Sequence, residues 1–165
     1  MHEHAAPCRK RDPKMAHKSN LSALTAALVI SASSAAHAAG PNDPQIAHIA
    51  YTADSIDVAA GKQALSRSHN KAVRAFASEM IRDHAAVNVQ ALALVKKLHV
   101  TPMNNPTSVA LSKQAAATHR RLAGLNGRSF DRAYAANEVA YHKTVNSALA
   151  DTLIPSANNA ELKSL

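Results

Sequence analysis

Long runs of residues with apolar side chains at intervals of three and four dominate residues 45–165, and proline, glycine and asparagine interrupt them. Apolar positions with this spacing fall on one face of an α-helix. No stretch alternates apolar and polar residues for long enough to predict a β-strand. The sequence therefore predicts an all-α protein.

The interruptions divide this region into two long helices, a shorter one and another long one. We expect them to begin at N-caps and to end at proline or glycine. Long, alanine-rich helices joined by short turns are typical of an up-and-down bundle, since alanine lets helix axes approach closely. The predicted helices cover residues 45–67, residues 71–98 after a cap at Ser68-His69-Asn70, a segment capped by Thr107 or Ser108 that ends at Leu122, and residues 130–153 after Ser129.

The last residues resemble the start of a further helix. Asn158 and Asn159 supply caps and Glu161 an acid in the first turn, yet the sequence ends at Leu165 after less than two turns. Counting only the three long helices, we therefore expect a bundle whose fourth helix is largely missing. The groove left open would expose roughly 600 Å² of apolar surface, worth about 15 kcal/mol if buried, so either the sequence is incomplete or a second copy covers the groove.

The amino-terminal residues have the pattern of a secretory signal. Lys18 precedes an apolar segment over residues 21–36, and Ala36-His37-Ala38 is a small-x-small cleavage site. We divide the chain into a signal peptide with an extension (residues 1–38), a linker (39–44) and one domain (45–165). Cleavage near Ala38 predicts an exported protein, with the periplasm as its location.

Charge and cysteine content narrow the classes of partner. The formal net charge is +8, and residues 39–165 keep fourteen basic and nine acidic residues but no cysteine, since Cys8 is the only one. Disulfides and thiol chemistry are therefore not expected in the domain. Short basic pairs and few aromatic residues argue against nucleic-acid binding, whereas weak attraction to an anionic cell envelope fits the charge.

Five segments together carry a resemblance to a known family: "AHIAYTADSIDVAAGKQAL", "VRAFASEMIRDHAAVN", "QALALVKKLHVTP", "GRSFDRAYAANEVAYHKTVN" and "TLIPSANNAELKSL". The chain resembles the exported ferritin-like family catalogued as domain of unknown function 4142 over residues 45–165. The resemblance implies a signal peptide, a periplasmic four-helix bundle of ferritin-like topology and an association with membranes, but no particular activity. Family members continue beyond "ELKSL" into a full last helix that usually carries a histidine, which adds to the expectation of a missing helix.

His84 lies in the middle of the apolar face of the second helix. At 100° per residue, Ala77, Met80 and Ala91 project within about 40° of it. We therefore predict that the imidazole is buried and needs a polar partner. The partners expected for a purely structural role are Glu138, Tyr134 or Asn88.

A carboxylate and a second imidazole recur on the last long helix, where Glu138 and His142 lie one turn apart. With His84 they resemble the inward carboxylates and histidines of di-metal helical bundles, although that pattern needs a spacing of three within Glu-x-x-His and a Glu at the position of Ile81. Asp54 and Asp57 on the first helix lie off the stripe of isoleucines. They are weaker candidates.

Two hypotheses follow. In the first, these side chains form a structural polar cluster inside a non-enzymatic exported protein with an envelope or stress-related role. In the second, His84, Glu138 and His142 bind a transition-metal ion such as Zn, Cu or Fe, in a metal-binding or metal-dependent redox protein. The sequence contains no nucleophile elbow and no phosphate-binding loop, so a non-enzymatic protein is favoured.

Overall fold

The computed structural model describes residues 40–165, which contain helices but no strands. The predicted all-α class is confirmed. The predicted signal peptide, residues 1–38, lies outside the described residues. Four helices of 18 to 27 residues are followed by a short π-helical turn and two short helices: α1 (Asp43–Arg67), α2 (Lys71–Lys97), α3 (Pro106–Ala123), α4 (Gly127–Ala148), the π-turn (Leu149–Leu153), α5 (Ile154–Ser156) and α6 (Ala160–Ser164).

Helix α1 lies at the centre of the bundle and contacts each of the other three long helices. Hydrogen bonds from Asn105 to Gln45 and from Gln63 to His119 join α1 to α3 so that the two helices run in the same direction. Helices α1 and α4 are antiparallel, since the hydroxyl of Ser68 after α1 donates to Asp131 near the start of α4, and the hydroxyl of Tyr141 farther along α4 donates to the carbonyl of Ala53. Successive long helices thus alternate in direction, as in an up-and-down bundle.

Helix starts depend on asparagine rather than on serine or threonine. The predicted cap at Asn70 is confirmed, since its side chain accepts from Ala72 and Val73. The predicted cap of α3 at Thr107 or Ser108 was wrong: Asn105 accepts from the Ser108 amide at 3.0 Å. The reason lies at Pro106, which is preorganised for the first helical position and loses no hydrogen bond there.

The start of α4 was also predicted too late. Asn126 precedes the first helical residue, Gly127, whereas the predicted cap at Ser129 lies inside the helix. Gly127 has a φ of +52°, a conformation that costs glycine little. The chain therefore turns into α4 two residues before the cap that composition alone indicates.

Helix α4 does not continue regularly to residue 153 as predicted, because the π-turn widens its last residues. Pro155 lacks an amide hydrogen, and its ring excludes the carbonyl of Asp151 from an ordinary α-turn. A wider turn accommodates this carbonyl, and the amide of Ile154 bonds instead to Leu149. The short helix α5 then ends before Ala157.

The last residues form a helix start, as predicted. The Asn159 side chain accepts from the Leu162 amide at 3.0 Å and begins α6. The carboxylate of Asp43 accepts from the amides of Asn158 and Asn159 at 2.8 and 3.0 Å. These contacts hold the carboxyl-terminal segment against the start of α1.

Two apolar clusters lie along α1 with Asp57 between them in sequence. The first is built around three large buried side chains on α3 and α4, and the second around isoleucines near the start of α1. Their buried members are Ala60, Ala64, Ala77, Leu122, Phe130 and Tyr134 in the first, and Ile46, Ile49, Leu153 and Ala157 in the second. A carboxylate between two apolar clusters needs a polar partner or a cation.

Gly61 lies at a close approach between α1 and α2. A β-carbon here would lie 2.8 Å from Cγ1 of Ile81 and 2.9 Å from the backbone oxygen of Ala77. We expect Gly61→Ala to lower the free energy of unfolding by about 1–2 kcal/mol, because overpacking outweighs the gain in helix propensity. Urea denaturation measures this change.

Gly124→Ala is the matched control, since its β-carbon would meet only the Arg121 carbonyl oxygen at 3.6 Å. This variant should unfold within about 0.5 kcal/mol of the wild type. Equal destabilisation by both substitutions would contradict the close approach at Gly61.

The helices of residues 40–165 include none that combines the length and the apolar character needed to cross a bilayer.

Candidate metal centre

One side chain from each of α1, α2 and α4 meets between the helices. Asp57, His84 and His142 each present one potential ligand atom, and these three atoms lie within 4.8 Å of one another. The two imidazole centroids are 5.7 Å apart, and Nε2 of His84 is 3.6 Å from Oδ2 of Asp57. The structure therefore brings together both predicted histidines, with a carboxylate from α1.

Each histidine is oriented by a hydrogen bond at Nδ1. Nδ1 of His84 lies 2.7 Å from Oδ1 of Asp54, and Nδ1 of His142 lies 2.9 Å from the backbone oxygen of Glu138. A carbonyl or carboxylate oxygen can only accept, so both Nδ1 atoms carry the hydrogen. In the neutral rings the lone pairs are then on Nε2, which is the tautomer a metal ligand needs.

His84 is only half-buried, which corrects the prediction of a buried ring. Its side chain is 21% exposed, whereas Asp57 is 4% exposed. The ring lies near the margin of the bundle, beside its partner Asp54, which is also half-buried. The cluster thus has a dry side at Asp57 and a wetter side at His84.

The partners predicted for His84 were wrong. Neither Glu138, Tyr134 nor Asn88 bonds to it: Asn88 donates to Oγ of Ser55 at 3.3 Å. The Tyr134 hydroxyl is buried without a hydrogen-bond partner among the described residues. Asp54 and Asp57 on α1 contact the ring instead, because α1 packs closely along α2.

Glu138, the third predicted ligand, is 2% exposed and belongs to the edge of the cluster. The backbone oxygen of Glu138 accepts the hydrogen bond of His142, and its carboxyl group is close enough to Asp57 for the charge of Asp57 to raise the pKa of Glu138. Burial, with the neighbouring Asp57 charge, raises the pKa of Glu138 to about 7. Oδ1 of Asp57 and Oε2 of Glu138 both lack hydrogen-bond partners among residues 40–165. Two neighbouring buried carboxyl groups favour the protonated form of one of them.

The pKa values of two other ionisable members of the cluster, Asp57 and His84, are also raised. Burial raises the pKa of Asp57 despite the opposing influence of His84 and His142. The hydrogen bond to Asp54 raises the pKa of His84. In both cases the folded protein holds a proton more tightly than the unfolded chain.

These shifts predict that the metal-free protein loses stability as pH rises. The unfolded chain releases the Glu138 proton near pH 4.5 and the folded protein only near 7, so the free energy of unfolding falls across this interval. We expect Glu138 to contribute up to about 3 kcal/mol to this fall. Urea denaturation in the presence of a chelator, between about pH 4 and about pH 8, measures the slope.

Glu138→Gln should flatten this pH dependence, since the amide is neutral throughout. Glu79→Gln is the control, because Glu79 lies exposed on α2. Equal slopes for wild type and Glu138→Gln would contradict the assignment.

Asp57 was underestimated from the sequence because Ile49 and Ile56, which lie roughly 80–100° away from it, shift the centre of the isoleucine stripe in their direction. Measured from Ile46 and Ala64, which are both buried, Asp57 lies within about 20° of the centre of that face. This angular signal could have found it. Asp54, about 80° away, could not have been selected by periodicity.

A carboxylate and two oriented imidazoles between antiparallel helices define the class of this protein: an all-α bundle with a candidate metal centre. The chain belongs to the family described as Domain of unknown function (DUF4142), whose model matches residues 29–165. The family resemblance predicted from the sequence is thereby confirmed, while ferritin-like topology and export stay predictions. No match was found among curated proteins or among solved structures.

Proposed function

We propose that this protein binds a divalent transition-metal ion through Asp57, His84 and His142. The observation that carries the proposal is the convergence of their ligand atoms within 4.8 Å from three different helices. A ligand set of two histidines and one carboxylate suits Zn, Cu and Fe ions. Glu138, which the sequence predicted as a ligand, is instead a neighbour of the ligating carboxylate of Asp57.

The hydrogen bonds at both Nδ1 atoms support this proposal. Histidines that bind metals almost always donate their other ring hydrogen to a carboxylate or a carbonyl, which orients the ring and raises its basicity. Asp54 does this for His84, and the backbone of Glu138 does it for His142. A purely structural cluster needs no such matching of tautomers.

The electrostatics of the cluster also support a cation. Asp57, Asp54 and Glu138 bring three carboxyl groups close to the two imidazoles, and the pKa of both Asp57 and Glu138 is raised. Buried carboxylates without a cation compete for protons in this way. A metal ion would favour the ionised form of Asp57 and stabilise the fold by mass action.

Calorimetric titration of the refolded domain with Zn²⁺ tests the proposal. We expect one equivalent to bind to the wild type, and His84→Ala or His142→Ala to weaken binding by at least about 100-fold, since changes in the outer shell alone cost 10–100-fold. The visible spectrum of bound Co²⁺ should report nitrogen and oxygen ligands. His119→Ala is the matched control, because His119 lies on α3 outside the cluster.

Equal Zn²⁺ affinity in wild type and both variants would contradict the proposal and favour the structural cluster. In that case the role left is the non-enzymatic one, in which the residues only stabilise the bundle. Loss of stability without loss of metal binding in His84→Ala would point the same way.

We also propose an envelope location, supported by the signal-like segment ahead of Ala38. Fractionation of cells that express the full sequence tests it. A cytoplasmic product that retains residues 1–38 would contradict it. Self-association through an open groove and weak attraction to anionic lipid stay proposals that sedimentation and salt-dependent vesicle binding would test.

A further inference from the structure

An apolar cavity of about 600 Å³ is lined by residues of α1, α2, α3 and α4 and of the carboxyl-terminal segment. This volume is in the range of sites that bind small molecules. Most of its wall is apolar, and its charged side chains among the described residues are Asp54 and Lys163. The apolar wall includes Ile49, Ala53, Val87, Ala91, Val145 and Leu149.

The cavity lies about one helical turn from the candidate metal centre. Val87 follows His84 by three residues and Val145 follows His142 by three, so each wall residue lies about one helical turn, roughly 5 Å, beyond a proposed ligand. Ala53 precedes Asp57 by four residues on the antiparallel α1 and lies at the same level. All three helices therefore lead from the cluster into the cavity in the same direction.

Asp54 connects the two features directly. It lines the cavity, and its Oδ1 accepts the hydrogen bond of His84 at 2.7 Å. Asp54 thus belongs both to the cavity wall and to the hydrogen bonding of the candidate centre, although the three proposed ligands do not themselves line the cavity. Three protein ligands would leave coordination positions for an exogenous group.

We infer that the cavity takes the alkyl tail of a small amphiphile whose oxygen donor group occupies the metal. This inference rests on the proposed metal site and adds the class of ligand: an apolar chain that ends in one metal-binding oxygen head. The apolar wall selects the chain by burial, and the metal selects the head.

Hydroxamates separate the two contributions, because the same chelating head is available with and without a chain. Burial of one methylene favours binding by about fourfold, so octanohydroxamate should bind the Zn²⁺-loaded protein at least about 50-fold more tightly than acetohydroxamate after ordering costs. Octanamide, which has the chain without the chelating head, should bind far more weakly than octanohydroxamate. Calorimetry measures all three affinities.

Filling the cavity should remove only the contribution of the chain. We expect Ala91→Phe to bring octanohydroxamate to the affinity of acetohydroxamate while Zn²⁺ binding stays unchanged. Ala93→Phe is the matched control, since Ala93 is exposed on the same helix and does not line the cavity. If Ala91→Phe does not fold, Val87→Phe on the same wall replaces it.

The outcomes distinguish this inference from the proposed function. Equal affinities for the two hydroxamates with normal Zn²⁺ binding would overturn the cavity and leave the metal site standing. Octanamide binding as tightly as octanohydroxamate would overturn the contact between head and metal. Absence of Zn²⁺ binding would overturn the proposed function, and this inference with it.

Discussion

Replacing Asp57 by asparagine is expected to abolish metal binding and to make the metal-free protein more stable. The substitution removes the only carboxylate in the proposed ligand set, so Zn²⁺ affinity should fall by at least about 100-fold. At neutral pH the free energy of unfolding in chelator should rise by about 1 kcal/mol.

There is a physical reason why Asp57→Asn should lower the Zn²⁺ affinity and yet raise the free energy of unfolding. Asp57 is 4% exposed, one of its oxygens lacks a partner among residues 40–165, and the carboxyl group of Glu138 lies beside it. An asparagine keeps the shape, removes the buried charge and donates to Glu138. Function and stability therefore compete at this position, as is common where a site needs an unfavourable charge.

Urea denaturation in chelator and calorimetric titration with Zn²⁺ measure both effects. Asp151→Asn is the matched control, since Asp151 is exposed on the π-turn and should change neither value. A structural polar cluster makes the contrary prediction: Asp57→Asn would then destabilise the protein. That result would count against the metal site.

Replacing Phe130 by alanine is expected to lower the free energy of unfolding by about 3–5 kcal/mol. Phe130 is fully buried and stacks on Tyr134, with the two ring centroids 6.0 Å apart and an interplanar angle of 5°. The loss combines the transfer of the ring to water with a cavity that rigid helices cannot fill. It is a large part of the 5–15 kcal/mol typical of a whole domain.

Phe76→Ala is the matched control on the other side of Tyr134. Its ring meets that of Tyr134 edge-on at a centroid separation of 6.2 Å but is 37% exposed. We expect this substitution to cost less than about half as much as Phe130→Ala. Thermal and urea unfolding measure both variants, and equal losses would show that the core is not centred on Phe130.

The helices could be predicted well because their signals are local. The first two helices end within about two residues of their predicted limits, and the Asn70 cap is confirmed by hydrogen bonds that span two or three residues. The errors arose where proline and glycine geometry competed with composition. Pro106 moved the cap of α3 to Asn105, and Pro155 imposed the π-turn.

The site could be predicted only in part. Periodicity placed His84 and His142 toward the interior, and the structure brings their rings within 5.7 Å. Periodicity did not identify the carboxylate partner. The position of a residue around its own helix does not fix how the neighbouring helix is rotated or how closely it packs. Both depend on Gly61, where α1 and α2 approach closely enough for Asp54 and Asp57 to reach His84.

The sequence by itself determined the helices, their alternating order and the presence of two imidazoles on inward faces, since each depends on residues within one or two turns of one another. Only the tertiary structure decided that Asp57 rather than Glu138 faces the imidazoles, that Asp54 holds His84 in one tautomer, and that an apolar cavity adjoins them. The physical reason is that a hydrogen bond or a ligand position is set to a few tenths of an ångström. Packing between distant helices sets positions at that scale, whereas hydrophobic periodicity sets only the face.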